Sequence, residues 1–540
     1  MARSADQQGR AVILGTPGVG PVTPDLIDAF TQIVESHADR TAVVHNGRPL
    51  SYLQLDGLVQ RAALRLGAGP GVVGVRTSRS PGVVAELLGV LAAGGTYCPV
   101  DPAFPAARQR AMVAAAGCHL VIDAETVPQG KSGVEPVDFT DLLTPRGTDG
   151  PDEPDGPQAP AYILFTSGST GDPKPVVTPR GAITTVVGAL RELFDLGPAD
   201  RVLQFASLNW DTCFEEILPT LTAGAALVLD DEAHSGSFPR LLRMVERERI
   251  TVLDLPTAYW HELVRHLTED RAALPPSVRL VVIGGEAADP ARLADWCALA
   301  TGDVRLVNTY GSTETTLITH AVDLHGPRAL ALGRPWRPGD RVPIGLPLPH
   351  VLERIGAEGE LMIGGPALAL GYRGLPQATE ARFGSGEDRW FRTGDRVERA
   401  PGGVLLHRGR LDGELKIRGI RVDPAEVEAH LTAHPQVAGA AVTGARLAGR
   451  TTLVAYVVPA PGADTAALAA GLRRHLTARV PGHLVPGRIA LVERLARTSS
   501  GKLDRAGTHR HYEGRTPEET ELTQRRQGAA AAEEEGNDGR

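Results

Sequence analysis

YILFTSGSTGDPKP, residues 162–175, is the strongest local signal in the chain. An apolar run, Tyr162-Ile163-Leu164-Phe165, reads as a buried strand. It passes directly into Thr166, Ser167, Gly168, Ser169, Thr170 and Gly171, with Lys174 behind them. Glycines let backbone N–H groups approach a polyphosphate, hydroxyls donate further hydrogen bonds, and a lysine adds compact positive charge. No GK[ST] follows the glycines, so this is not a Walker A loop. A Ser/Gly linker would have no reason to sit behind a buried strand with a rare lysine at its end. Lysine is rare throughout: of 56 Lys and Arg residues only Lys131, Lys174, Lys416 and Lys502 are lysine. A chain that uses arginine as its generic cation keeps lysine for roles a planar guanidinium fills poorly, such as a point charge on phosphate. Lys131, in the polar loop QGKSG, fits chance retention instead.

Helix-like and strand-like segments alternate around this loop. Residues from Pro24 read as an amphipathic helix, a strand, a turn at Asn46-Gly47 and a second strand. Segments 82–94 and 240–250 read as helices, and 118–122, 251–255 and 279–284 as strands, which predicts α/β layers with parallel sheet. The Pro-, Gly- and Asp-rich stretch 123–160 reads as a surface excursion ending just before a strand. After about residue 412 the pattern becomes that of a compact α+β domain. At roughly 100–200 residues per domain, 540 residues call for several domains. The expected organisation is a flexible leader 1–22, a large N-terminal domain 23–411, a small C-terminal domain 412–512 and a disordered tail 513–540. The tail sequence from HRHYEG onward has little to bury.

Composition excludes other classes. With 64 acidic against 56 basic residues, a net of −8, no basic nucleic-acid surface is indicated. No run of about 18 apolar residues predicts a membrane span, and residues 1–20 lack the pattern of a secretion signal. Cys98, Cys118, Cys213 and Cys297 lie far apart with no CxxC, against a zinc site or a disulfide framework. A soluble cytoplasmic protein is expected.

The 162–175 segment resembles the phosphate loop of the adenylate-forming superfamily, which includes acyl-CoA synthetases, luciferases and the adenylation domains of nonribosomal peptide synthetases. The resemblance continues in order through AGGTYCPVDPAFP (93–105), NTYGSTETT (308–316), GELMIGGPALALGYRG (359–374), WFRTGDRVER (390–399), HRGRLDGELKIRGIRVDPAEVE (407–428) and RTSSGKLDR (497–505), covering roughly residues 23–510. It implies a large adenylate-forming domain of layered sheets and helices with a small mobile C-terminal domain. The implied reaction joins a carboxylate to ATP, giving an acyl-adenylate and pyrophosphate. By resemblance Lys502 would bridge the substrate carboxylate and phosphate oxygens, and Glu314 would hold Mg²⁺. Thr166 to Gly171, Lys174 and Thr313 would contact the phosphates. Tyr310 would stack on adenine, with Gly285, Glu286, Thr309 and Gly311 around it. Asp395 would accept the ribose hydroxyls, supported by Arg410. Asp412 matches the hinge position, and the small domain would swing after adenylation to face a thiol acceptor. Lys416 lies on that segment, where a structural ion pair is as good a reading as a catalytic one. Pro175, Ser312, Pro179 and Trp210 depart from the family pattern, and none removes a charged catalytic position.

FASLNWDTCFEEILPTL (205–221) resembles the segment whose Asp binds the α-ammonium of an amino acid, which assigns that role to Asp211. A buried carboxylate calls for a cation. The remaining specificity positions carry over as Thr212, Glu215, Ala258, Val282, Gly284, Thr309, Leu317 and Ile318. Glu215 is the exception in a small and apolar set, and a second pocket carboxylate implies a second substrate cation: lysine, β-lysine or ornithine. A register shift of one would substitute Glu216, and a glutamate facing away would serve a helix ion pair instead. No phosphopantetheine site follows Lys502, so a stand-alone enzyme is expected. It would load the 4′-phosphopantetheine thiol of a separate carrier protein in antibiotic biosynthesis, and an MbtH-like activator is a further partner the family allows. The alternatives are transfer to a free amine, an acyl- or aryl-CoA ligase, and an inactive nucleotide-binding regulatory module.

Overall fold

The computed structural model describes residues 24–124, 137–143, 156–167, 172–299, 301–329, 337, 340–386, 389–412, 414–417, 420–447, 450–497 and 503–513. The expectations for the leader, for Gly168, Ser169, Thr170 and Gly171, for Lys502 and for the tail beyond residue 513 lie outside them. Contacts divide the chain into two units. The first runs to Asp412 without Ser167–Asp172 and takes in Arg418–Ile420; the second holds Ser167–Asp172, Gly413–Ile417 and Arg421–Arg540.

Two large sheets organise the first unit. In the nine-stranded sheet the strands Thr41–His45, Ala226–Leu229, Arg201–Leu203, Val252–Pro256, Leu280–Gly284 and Arg305–Gly311 run parallel, with antiparallel strands at both edges. Their near-continuous Val, Leu and Ile runs suit strands covered on both faces. The edge strands are antiparallel because Arg48–Ser51, reached through the turn at Asn46-Gly47, and Ile318–His325 return through short connections rather than crossover helices. A six-stranded sheet contains Val72–Arg76, Thr96–Val100, Pro160–Thr166 and Lys174–Pro179. One apolar core joins facing sides of the two sheets around the helices Pro81–Ala92 and Thr212–Thr222. Both helices are buried nearly all round, as a central layer requires. Glu86 lies inside that layer and is neutralised by Arg65 at 2.5 and 2.6 Å. Separate cores cover the outer face of each sheet. A smaller antiparallel sheet, Leu352–Ile355, Glu360–Gly364, Phe391–Arg399 and Leu405–Arg410, completes the unit.

Part of the 123–160 excursion is anchored: Phe139 is buried, and Arg110 donates to the Asp138 carbonyl and pairs with Asp141. Phe139, with Val137, Leu142 and Leu143 packed against the same core, supplies the apolar surface that holds this stretch.

The second unit packs the helices Pro424–Thr432, Thr465–Thr477 and Arg505–Tyr512 with the strands Val437–Leu447, Arg450–Pro459 and Arg488–Leu491. The segment HRHY (509–512), inside the expected domain 412–512 although its polarity gives it little to bury, ends the last of these helices. Tyr512 is buried against Tyr456 and donates to the Arg494 carbonyl at 3.0 Å, and Arg505 forks onto Glu428 at 2.7 Å through two nitrogens. Those long-range partners are invisible to a local reading of polarity.

Candidate active site

Pro160–Thr166 and Lys174–Pro179 form an antiparallel hairpin in which Thr166 is the register partner of Lys174. Ser167 groups with the second unit, where its hydroxyl donates to the Arg421 carbonyl and accepts from the Asp423 N–H. The two-residue strand Gly371–Tyr372 pairs with the far arm of the hairpin. Gly371, at φ 136°, closes onto Thr379, where a Cβ would lie 2.4 Å from a methyl group. That approach lets the Tyr372 N–H donate to the Thr379 hydroxyl at 2.9 Å. Tyr372 then presents its ring to the Lys174 ammonium, 5.9 Å from the centroid, and donates its hydroxyl to Glu314 Oε1 at 2.9 Å. Lys174 and Glu314 are thereby gathered around one tyrosine. Glu314 is 1% exposed. A divalent cation carried on a polyphosphate needs only a hard oxygen from the protein, and the Glu314 carboxylate has the chemistry for Mg²⁺.

A second cluster centres on Asp395, in the strand Phe391–Arg399. Its Oδ1 accepts from Arg410 at 3.1 Å and lies 2.9 Å from His407 Nε2, while Oδ2 accepts the Tyr310 hydroxyl at 2.6 Å. Burial and the Asp395 charge push the Tyr310 phenol up. Arg410 also forks onto Asp412 at 2.7 and 2.6 Å, and Arg382 adds a bond at 2.9 Å, so the boundary residue is clamped from two sides. Tyr310, Asp395, Arg410 and Asp412, assigned separately from sequence, thus form one hydrogen-bonded chain. Gly285 and Glu286 follow the end of the neighbouring strand Leu280–Gly284.

The third cluster lies where the helix Thr212–Thr222 begins. Asp211 precedes it, and burial raises its carboxyl against the opposing hydrogen bond from Thr313. Glu314 adds like charge to Asp211, which ties this pocket to the phosphate side. One turn on, Glu215 is buried and hydrogen-bonded to Asp254 of the strand Val252–Pro256. Val282 is the register partner of Asp254, and Gly284 sits beneath Thr309, whose hydroxyl donates to the Ile283 carbonyl at 3.0 Å. Leu317 and Ile318 are buried, and Thr316 and Leu317 both hold positive φ, 55° and 64°. Ala258 lies in the following helix, Thr257–Glu269, partly exposed. Glu216 points elsewhere, and its oxygens accept from the Phe205 and Ala206 N–H groups and the Gln204 amide at 2.9, 2.9 and 3.0 Å. Of the two neighbouring glutamates, Glu216 is therefore the one engaged with backbone N–H groups.

Three residues of these clusters, Tyr372, His407 and Asp254, went unassigned from sequence. Tyr372 sits inside a quoted motif, and its role depends on a contact 58 positions away. Asp254 carried a signal, a single acid in the buried strand VLDLP. Among the described residues no three His, Cys, Asp or Glu side chains converge as a metal cage, and no helix is long and apolar enough to cross a membrane.

Residues 30–373 match the AMP-binding enzyme family, and residues 426–502 match the AMP-binding enzyme C-terminal domain. The chain is 42% identical over 518 residues to an isonitrile lipopeptide synthase of Streptomyces coeruleorubidus, matching 92% of this chain and 34% of that protein. It spans about a third or less of the length of the curated relatives it matches. Among solved structures, the amide bond synthetase McbA from Marinactinospora thermotolerans superposes with a TM-score of 0.74 at 25% identity, over 91% of this chain and 100% of that one. The fused adenylation–PCP di-domain NpsA-ThdA from Klebsiella oxytoca gives 0.69 at 25% identity, over 87% and 94%.

Proposed function

Because the chain belongs to the AMP-binding enzyme family, as an adenylate-forming domain of the nonribosomal peptide synthetase type, we propose that it activates a basic amino acid, lysine, β-lysine or ornithine, as its aminoacyl-AMP. A substrate carboxylate oxygen bonds to the α-phosphorus of ATP as the bond to the β-phosphate breaks, and pyrophosphate leaves. Two anions must meet, so the protein acts by positioning and by charge. Lys174 faces the phosphates, Lys502 the reacting carboxylate and α-phosphate, and Asp395 with Arg410 fixes the ribose. Magnesium at Glu314 offsets phosphate charge when bound. The observation that carries the substrate class is the pair of acids one helical turn apart, the half-buried Asp211 and the buried Glu215, neither in a salt bridge among the described residues. Asp211 takes the α-ammonium and Glu215 the distal one.

Amino-acid-dependent ATP–pyrophosphate exchange tests the reading. Diamino acids are expected to drive exchange, and Glu215→Ala to lower kcat/KM for them by roughly thirtyfold or more. Exchange with neutral or aryl acids alone would overturn the substrate class. Lys502→Ala should abolish exchange while ATP still binds.

The acyl group then passes to the phosphopantetheine thiol of a carrier protein, a reading supported by the adenylation–PCP likeness. The likeness to an amide bond synthetase favours a second acceptor, a free amine. Offering the pre-formed adenylate a carrier bearing the free thiol or an amine separates the two.

A further inference from the structure

We propose that Tyr372 is a positioning residue of the phosphate site that acts through Glu314: its hydroxyl holds the Glu314 carboxylate ready for Mg²⁺. This rests on the Glu314 reading above. Residues 369–373 tie together two segments that lie far apart along the chain. On one side they are zipped to the hairpin arm that opens with Lys174. The Leu370 N–H donates to the Val177 carbonyl at 2.8 Å and the Arg373 N–H to the Pro175 carbonyl at 2.9 Å. Between them, Gly371 and Tyr372 are the register partners of Val177 and Val176. On the other side they grip Glu314 twice. The Ala369 N–H donates to its main-chain carbonyl and the Tyr372 hydroxyl to its Oε1, both at 2.9 Å.

Glu314 needs such a grip. It lies in the single turn Thr313–Thr315, which is too short to fix a side chain as long as glutamate. Ordering that side chain before ATP arrives takes the entropic cost out of the binding step. Tyr372 can impose the order because its own ring is fixed. It is buried, it meets Phe383 edge-on with ring centres 5.8 Å apart, and its N–H is held by the Thr379 hydroxyl. Phenylalanine would fill that space and complete the strand equally well. Packing therefore explains the ring, and the hydroxyl is explained by Glu314. The Lys174 ammonium lies over the same ring. A phenol that donates to a carboxylate gains electron density in its ring, which strengthens the attraction to the lysine. One hydroxyl thus acts on both charged groups assigned to the phosphates.

Tyr372→Phe removes one oxygen and keeps the ring, the strand pairing and the Lys174 contact. Calorimetric titration with ATP, amino acid omitted, reads binding apart from activity, in EDTA and at saturating Mg²⁺. The factor by which Mg²⁺ tightens ATP binding should fall about tenfold in the variant, the worth of a hydrogen bond to a charged group. Its affinity for ATP in EDTA should stay within about twofold, and the Mg²⁺ needed for half-maximal exchange should rise by a similar tenfold. Equal tightening in the two proteins overturns the role of Tyr372. Glu314→Gln separates that failure from failure of the Glu314 reading: it should abolish the tightening, and retention of the tightening overturns that reading and the proposal with it. In the double variant Tyr372→Phe should add nothing, because a residue that acts through Glu314 has no charge left to hold. A further tenfold loss there would mean that Tyr372 acts independently of Glu314, which overturns the proposal. If Tyr372→Phe does not fold, the ultraviolet difference spectrum of the unaltered protein decides. Adding Mg²⁺ to its ATP complex should perturb a tyrosine band, and Glu314→Gln should remove the perturbation; no perturbation, or one that survives Glu314→Gln, overturns the role.

Discussion

Glu353 has no exposed surface, yet it is held ionised. His320 Nε2 lies 2.6 Å from one oxygen, Arg399 donates to the other at 2.6 Å, and Thr319 braces the far ring nitrogen of His320 at 2.9 Å. Burial works to raise the Glu353 carboxyl, but the bonds from His320 and Arg399 win and hold it below its ordinary value. A depressed carboxyl adds stability above its unfolded value of 4.5 and loses it as pH falls through the lower folded value. Glu353→Gln should therefore cost about 1–3 kcal/mol at neutral pH, because it removes the charge from an acceptor that both His320 and the partly exposed Arg399 bond. Urea unfolding at pH 7 and pH 4 checks this: the gap between variant and unaltered protein should narrow on acidification. His320 also packs edge-on to Tyr310, with ring centres 5.8 Å apart. The trio thus backs the residue that donates to Asp395.

At the level of elements, the central layer depends on close approach between two helices. Gly89 of Pro81–Ala92 faces Tyr52–Leu66, and a Cβ there would lie 2.5 Å from Ala62 Cβ and 3.1 Å from the Val59 carbonyl. Alanine is the better helix former by about 1 kcal/mol. Overpacking costs about 1–3 kcal/mol, and a backbone carbonyl cannot move aside as a flexible side chain can. Gly89→Ala should lower Tm despite its better propensity, and a rise in Tm would mean that the two helices can separate. The same layer carries Thr212–Thr222, so a shift there would reach Asp211 and Glu215. Raised KM for the amino acid with unchanged KM for ATP is the expected signature.

Across the whole molecule, arginine stands almost everywhere a cation is needed, and four lysines remain. An amine-acylating reagent should inactivate exchange after modifying very few sites, with Lys174 and Lys502 among them. MgATP should protect those two selectively, as read by peptide mass spectrometry. Inactivation that tracks Lys131 or Lys416 instead would remove both lysines from the phosphate site. Guanidinium groups escape such reagents, which makes the scarcity of lysine an experimental advantage.

The reaction class and the phosphate hairpin were legible from order and spacing, because a glycine-rich turn behind a buried strand is a local solution to a local problem. The roles of Asp211, Asp395, Glu314 and Arg410 come instead from the family resemblance, residue by residue, and stand as part of the proposed function. The choice between Glu215 and Glu216 could not be made that way. Adjacent residues on a helix point about 100° apart, and only the packing of that helix shows which one meets backbone N–H groups and which one meets Asp254. Tyr372, His407 and the helix ending at Tyr512 were equally hidden, since each owes its role to partners far along the chain. Local sequence carries the geometry of turns and strands. Burial and hydrogen-bond partners arise when distant segments pack, and it is these that turn a row of acids into a pocket.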